Sequence, residues 1–220
     1  MAQEYTDFQL AYRIAQEVHK VGGRTFFVGG YVRDQLLNIP NKDIDIEIHG
    51  ITPDVIQSIL IQYGHLDERK VGESFGIFAL RGYDLDIALP RREISTGQGG
   101  HKDFIIDVDP FCGYEQAARR RDFTINALMQ DVLTGEILDY FGGRQDLKNH
   151  IIRHVDNHTF VEDPLRVLRA AQFAARFNFT VDSKTVELSK QLDLTKLPHE
   201  RIYTELDKAL LKSNRPSVFF

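Results

Sequence analysis

The chain has little sulfur and no excess of positive charge. Its single cysteine, Cys112, excludes an intramolecular disulfide, and no grouping of Cys and His has the spacing of a zinc site. No run approaches the roughly 18 consecutive apolar residues that a membrane helix requires. The opening MAQEYTDFQLAYRIAQEV carries no signal-peptide core. The expectation is a cytoplasmic protein with no membrane partner. Lys and Arg number 27 against 32 Asp and Glu, a net charge of −5. A general basic coat for nucleic acid is therefore absent, and an RNA has to be met by a local basic patch. What is present is ordinary globular material: 220 residues, 42% of them hydrophobic. That suffices for one full domain and a smaller one, and it excludes disordered, collagen-like and low-complexity classes.

Strands and helices come first along the chain, helices alone afterwards. The spacing predicts a helix over Phe8–Val18, stopped by Gly22-Gly23, and a short buried strand over Thr25–Val28. A helix over Tyr31–Leu37 and an alternating strand over Ile44–Ile48 follow. Thr52 and Pro53 read as N-cap and first position of a helix reaching Tyr63. Two β-rich runs, Phe75–Leu80 and Tyr83–Leu89, lead to a Gly-rich stretch from Arg91 to Lys102 that reads as a loop. Past about Asn157 three amphipathic segments remain: Glu162–Phe177, Ser183–Gln191 and His199–Lys212. The change of pattern sets an expected boundary near 150.

Two features carry chemistry. Asp43 and Asp45 flank Ile44 at the start of a strand, where residues two apart share a face. Carboxylates held together this way repel unless a cation sits between them. Oxygen-only donors favour Mg²⁺, which takes one or two carboxylates plus substrate phosphates. Just upstream, Gly29-Gly30 opens a helix, so that backbone amides can approach a phosphate, and Arg33 on its first turn offers a bidentate fork. A later acidic strand supplies a third carboxylate, Asp86, with Asp84 as the alternative. Taken singly, an Asp-x-Asp is a solvated strand face, a Gly-Gly is a turn, and Arg33-Asp34 is an exposed helix end. Their conjunction in one short segment selects the catalytic reading.

With these residues in hand, the chain resembles the nucleotidyltransferase superfamily that includes DNA polymerase β. Within it, the chain is similar to the bacterial-type (class II) tRNA nucleotidyltransferases, the CCA-adding enzymes, and their poly(A) polymerase relatives. Five segments carry the resemblance in order: Gly29-Gly30-Tyr31-Val32-Arg33-Asp34 with Asp43-Ile44-Asp45; Arg120-Arg121-Asp122-Phe123-Thr124-Ile125-Asn126; Phe141-Gly142-Gly143-Arg144; Glu162-Asp163-Pro164-Leu165-Arg166; and His199-Glu200-Arg201-Ile202. The resemblance implies an α+β fold: a polymerase-β-like head with a mixed sheet over 1–150, then an all-α neck over 151–220, cut short before body and tail. Asp43, Asp45 and Asp86 are implied as ligands of two Mg²⁺ ions, with Asp86 also a general base. Gly29, Gly30, Arg33, Arg120, Arg121, Asp122 and Asn126 are implied to hold triphosphate and sugar. Glu162, Asp163 and Arg166, supported by Arg169, are implied as an amino-acid template for the base.

The template has a chemical rationale. A carboxylate accepts from the exocyclic amino group of cytosine or adenine, and an arginine donates to the ring nitrogen beside it. Uracil and guanine present an oxygen and an N–H there, leaving buried groups unmet. The plainer reading of this segment is an N-capped helix with an internal ion pair. The implied reaction is attack of a tRNA 3′-hydroxyl on the α-phosphate of CTP or ATP, with release of pyrophosphate. CCA addition, addition of only CC or only A, poly(A) synthesis, and a nucleotide-binding module inactive on tRNA by itself all stay open. Residues 71–76 lack the Gly-Arg-Arg-Phe look of poly(A) polymerases, and no protein partner is expected. Cys112, His154 and His158 read as structural or solvated.

Overall fold

Thr6 starts the first helix with a reciprocal cap: its hydroxyl accepts from Gln9 N at 3.2 Å, and the Gln9 side chain accepts from Thr6 N at 3.0 Å. In the computed structural model, which describes residues 4–67, 76–95, 104–213 and 215–219, this helix is α1 (Asp7–Lys20). Of the sequence features tied to 71–76 and 91–102, residues 71–75 and 96–102 lie outside that description.

Strands β1 (Arg24–Val28), β2 (Ile44–His49), β3 (Ile77–Ala79), β4 (Leu85–Ala88), β7 (Met129–Asp131) and β8 (Ile137–Leu138) follow. They form a mixed six-stranded sheet in the order β3-β4-β2-β1-β7-β8. β2 runs parallel to β4 and antiparallel to β1. Alternation sorts the side chains. Phe27 pairs with Ile46 in the ladder and stacks on Phe8 of α1 with centroids 5.6 Å apart, so Thr25, Phe27, Ile44, Ile46 and Ile48 form the face beneath α1. The opposite face carries Asp45, Glu47 and His49 of β2, Phe26 of β1 and Asp86 of β4. Phe26 and His49 meet Tyr114 at 5.0 Å each. Tyr114 begins α4 (Tyr114–Arg119). The remaining helices here are α2 (Gly30–Leu36) and α3 (Pro53–Leu60); Thr52 stands at the N-cap of α3, but its side chain makes no capping bond.

The Gly-rich stretch read as a loop contains a strand. β5 (Arg91–Ser95) pairs with β6 (Phe104–Val108) as a separate two-stranded sheet. Its charged opening, Arg91-Arg92-Glu93, hides it from a hydrophobic-pattern reading.

The chain divides into two compact units. The first comprises Met1–Ile94, Phe104–Ala118 and Leu128–Asp139; the second comprises Ser95–Asp103, Arg119–Ala127 and Tyr140–Phe220. The second contains a 3₁₀ turn at Thr124–Asn126 and the helices α5 (Gly143–Asn149), α6 (Asn157–Glu162), α7 (Leu165–Phe177), α8 (Ser183–Ser189) and α9 (His199–Leu211). Between the helices, β9 (Ile151–Ile152) and β10 (Thr180–Val181) form a two-stranded parallel sheet, and β10 is the one strand among the described residues past 157. Phe123 is fully buried and packs edge-on against Phe160 and Phe173, 6.1 and 5.7 Å away. The helix expected over 162–177 starts at Leu165 instead, and Glu162 ends the separate α6. Pro164 has no N–H to continue α6, and it forces the residue before it out of helical geometry. Asp163 accordingly takes φ −124°, ψ 99° in the break.

Candidate active site

The carboxylates expected at the catalytic centre all lie in the first unit. Asp45, the second residue of β2, stands opposite Asp86 of β4 in the parallel register. Paired residues on neighbouring strands project to one side, so these two carboxylates share the sheet face away from α1. Asp45 is half-buried and Asp86 exposed. Asp84 precedes β4, its N–H donating to Asp7 Oδ1 at 3.1 Å; the residue level with Asp45 is Asp86. Asp43 precedes β2, exposed, and its N–H donates to Asn41 Oδ1 at 2.9 Å.

No group of three or more His, Cys, Asp or Glu side chains lies close enough to hold one ion among the described residues. The donor set is a carboxylate pair, Asp45 with Asp86, with Asp43 two residues before Asp45 in the chain. Such oxygen-only pairs fit a divalent cation whose coordination is completed by nucleotide phosphates.

The glycine turn stands on an ionic foundation. Gly29 takes φ 64°, ψ −130°, a backbone that an L side chain resists. Arg33 is only 4% exposed; its Nε and NH2 both reach Asp34 Oδ1, at 2.7 and 2.6 Å. A Cβ on Gly30 would stand 3.3 Å from that NH2. Asp34 Oδ2 in turn accepts from Asn41 Nδ2 at 2.9 Å. Asn41 therefore ties the Arg33–Asp34 pair to the backbone of Asp43.

The base- and sugar-facing candidates lie in the second unit. Asp122 is buried and its carboxylate receives four hydrogen bonds. Phe123 N and Asn126 Nδ2 donate to Oδ1 at 2.8 and 2.9 Å. Arg169 Nε and NH2 donate to Oδ2 at 2.8 and 2.7 Å. Burial pushes the Asp122 carboxyl up, but the Arg169 charge, the Asn126 amide and the Arg166 charge together hold it below the ordinary carboxylate value. Arg169 also faces buried Glu205 of α9 at 3.8 Å, and Glu205 accepts from Lys208 at 2.9 Å. Arg120 and Arg121 are half-buried and Glu162 is exposed.

Asp163 and Arg166 are set by different neighbours. Asp163 Oδ1 accepts from Leu165 N at 3.1 Å, and Oδ2 accepts from Arg201 NH2 at 2.7 Å. Arg166 donates from NH1 to Thr159 O at 2.5 Å and from NH2 to Arg120 O at 2.8 Å. The internal ion pair of the plainer reading is thus replaced by a pair with α9. His154 is buried between Thr185 and Asn157, 2.7 and 2.5 Å from its ring nitrogens, a structural histidine.

Sequence reasoning passed over Asp34, Asn41, Arg201 and Glu205 as parts of the arrangement. Asn41 has a local signal, since an Asn two residues before Asp43 suits a side-chain-to-backbone turn. Arg201 and Glu205 have none that pairs them with Asp163 and Arg169.

Residues 25–153 match the family model described as the Poly A polymerase head domain. A "Multifunctional CCA protein" of Pasteurella multocida is 45% identical over 204 residues, covering 90% of this chain and 46% of that protein. A "CCA-adding enzyme" of Actinobacillus succinogenes is 41% identical over 202 residues, covering 89% and 48%. The chain spans about half the length of these curated relatives. Among solved structures, the Thermotoga maritima CCA-adding enzyme in complex with tRNA superposes with TM-score 0.77 at 30% identity, over 96% of this chain and 48% of that one. The Bacillus stearothermophilus CCA-adding enzyme in complex with CTP does so with TM-score 0.76 at 30% identity, over 93% and 48%.

Proposed function

The chain belongs to the poly(A) polymerase head-domain family of nucleotidyltransferases, and from that membership we propose that it transfers C and A from CTP and ATP to the 3′ end of tRNA. The single observation that carries this reading is the register that sets Asp45 level with Asp86. Relatives whose names describe CCA addition, and similar structures holding tRNA or CTP, support the choice of substrates. The catalytic head is assigned to 1–150 and the neck to 151–220, a division supported by a family match that ends at 153. The protein is assigned to the cytoplasm; no helix among the described residues is long and apolar enough to cross a membrane.

The family generally uses a divalent metal. Asp43, Asp45 and Asp86 would hold two Mg²⁺ ions here, which supply charge to the reacting phosphate and the leaving pyrophosphate. The chain's own residues do the rest. Asp86 accepts the proton of the attacking 3′-hydroxyl. Gly29 and Gly30 present backbone to the triphosphate above the buried Arg33, and Arg120 and Arg121 add charge to it. Asp122 and Asn126 face the ribose, with Asp122 stiffened by Arg169. Asp163 and Arg166, flanked by Glu162, read the base and admit cytosine and adenine.

The test is incorporation with Mg²⁺ into tRNAs ending before CCA, after C and after CC. CTP, ATP, GTP and UTP are supplied singly, then CTP with ATP. Growth to CCA, refusal of GTP and UTP, and loss of activity in Asp43→Ala are expected. Addition confined to CC, to A, or to a poly(A) tail would replace the CCA reading, and binding of CTP without any incorporation would refute it.

A further inference from the structure

Asp163 stands in the break between α6 and α7, and its orientation is fixed by one donor at the start of α7 and a second from α9. Leu165 N holds one carboxylate oxygen at 3.1 Å, and Arg201 NH2, arriving from α9, holds the other at 2.7 Å. Two donors on two different oxygens fix both the position and the rotation of the carboxylate plane. Arg166 is anchored separately, by the carbonyls of Thr159 and Arg120. No ion pair joins Asp163 to Arg166 among the described residues, so each base-facing group is set by its own support.

Resting on the template reading above, we propose that Arg201 is a specificity-determining positioning residue. It holds the Asp163 carboxylate at the angle from which it accepts from the amino group of cytosine or adenine. The consequence falls on the wrong bases. A freely rotating carboxylate relieves its repulsion from O4 of uracil or O6 of guanine by turning away, and the penalty for a mismatch shrinks. A carboxylate pinned at both oxygens cannot turn, so the mismatch keeps its full cost. Arg201 touches neither base nor phosphate in this account. Its planar fork acts through Asp163, and lysine, a single-point donor, replaces it only in part. The pairing is partly solvent-exposed, with side chains 35% and 26% accessible, so its value lies in orientation more than in stability.

The experiment is equilibrium binding of CTP, ATP, UTP and GTP to the chain by calorimetry in Mg²⁺, alongside thermal melting. Asp163→Ala marks the template reading: it is expected to abolish the preference of CTP over UTP and of ATP over GTP. Arg201→Ala is expected to lower both preferences about tenfold, the worth of one charge-assisted hydrogen bond. It should do so chiefly by tightening UTP and GTP, whose mismatch is relieved, while CTP and ATP change little. Arg201→Lys should fall between. If Arg201→Ala shifts the affinities of all four nucleotides alike, or shifts none, while Asp163→Ala abolishes the preference, Arg201 is a structural residue and the inference is overturned with the template intact. If Asp163→Ala leaves the preference unchanged, the template reading itself fails and takes the inference with it. Should Arg201→Ala unfold, Arg201→Lys and Arg201→Gln give the same readout.

Discussion

Replacing Arg169 with alanine should cost this protein about 3 kcal/mol of folding stability. Asp122 is 8% exposed and takes two of its four hydrogen bonds from the Arg169 guanidinium. Truncation leaves the carboxylate charged beside fully buried Phe123, with only Phe123 N and Asn126 as donors. Removing one partner of a buried ion pair costs about 3–5 kcal/mol. The Arg169 side chain is 30% accessible, so water can reach the vacated oxygen, and the low end of that range applies. Glu205 loses a cation 3.8 Å away but keeps Lys208 at 2.9 Å, so it adds little. The assay is urea unfolding of wild type, Arg169→Ala, Asp122→Asn and the double variant. The two changes should be strongly non-additive, with a coupling of about 2 kcal/mol. A cost below about 1 kcal/mol for Arg169→Ala, or additivity across the cycle, would refute the reasoning.

Other predictions follow from the same geometry. Gly29→Ala puts a side chain on a backbone at φ 64°, ψ −130°, and should cost about 2 kcal/mol and weaken CTP binding; an unchanged melting temperature contradicts this. Asn41→Ala cuts the tie between Asp34 and the Asp43 backbone, and should weaken Mn²⁺ binding several-fold while costing about 1 kcal/mol; calorimetric titration checks it. Asp122, Asp131 and Asp156 are held below their ordinary value of 3.8. In each, burial works upward and is outweighed: by Arg169 and Asn126 for Asp122, by Thr134 N and Arg24 for Asp131, and by Thr159 N, His158 N and Arg119 for Asp156. The unfolded chain therefore takes up protons first as pH falls, so their stabilisation is complete above about pH 4 and lost progressively below it. Urea midpoints should drop between pH 4 and 2, less steeply in Asp122→Asn; a flat profile contradicts this.

Elements with a clear hydrophobic period were legible in the sequence, because burial of one face is what writes that period. The apolar stripe of α1 and the alternation of β2 are cases. The break at Asp163 was also written, in Pro164, but a continuous amphipathic pattern on both sides masked it. β5 opens on charged residues, and β9 and β10 are two residues each, too short for any period to register. The candidate site divides the same way. Asp43 and Asp45 announce themselves by spacing, and Asp86 by alternation, although only the strand register separates it from Asp84. What spacing cannot show is who supports whom. The Arg33 fork is committed to Asp34, Asp122 to Arg169, and Asp163 to Arg201, and two of these three pairings join residues distant in the chain.

The central claim is that Asp45 and Asp86, level on neighbouring strands, hold the divalent ion that the chemistry needs. Electron paramagnetic resonance of Mn²⁺ bound to the chain with a non-reactive CTP analogue tests it most directly, in wild type and in Asp45→Asn, Asp86→Asn and Asp84→Asn. The account predicts that Asp45→Asn and Asp86→Asn each weaken Mn²⁺ at least about tenfold, the loss of one charged ligand, and that Asp84→Asn binds as wild type does. Unaltered Mn²⁺ binding in Asp86→Asn, with loss in Asp84→Asn, would contradict it.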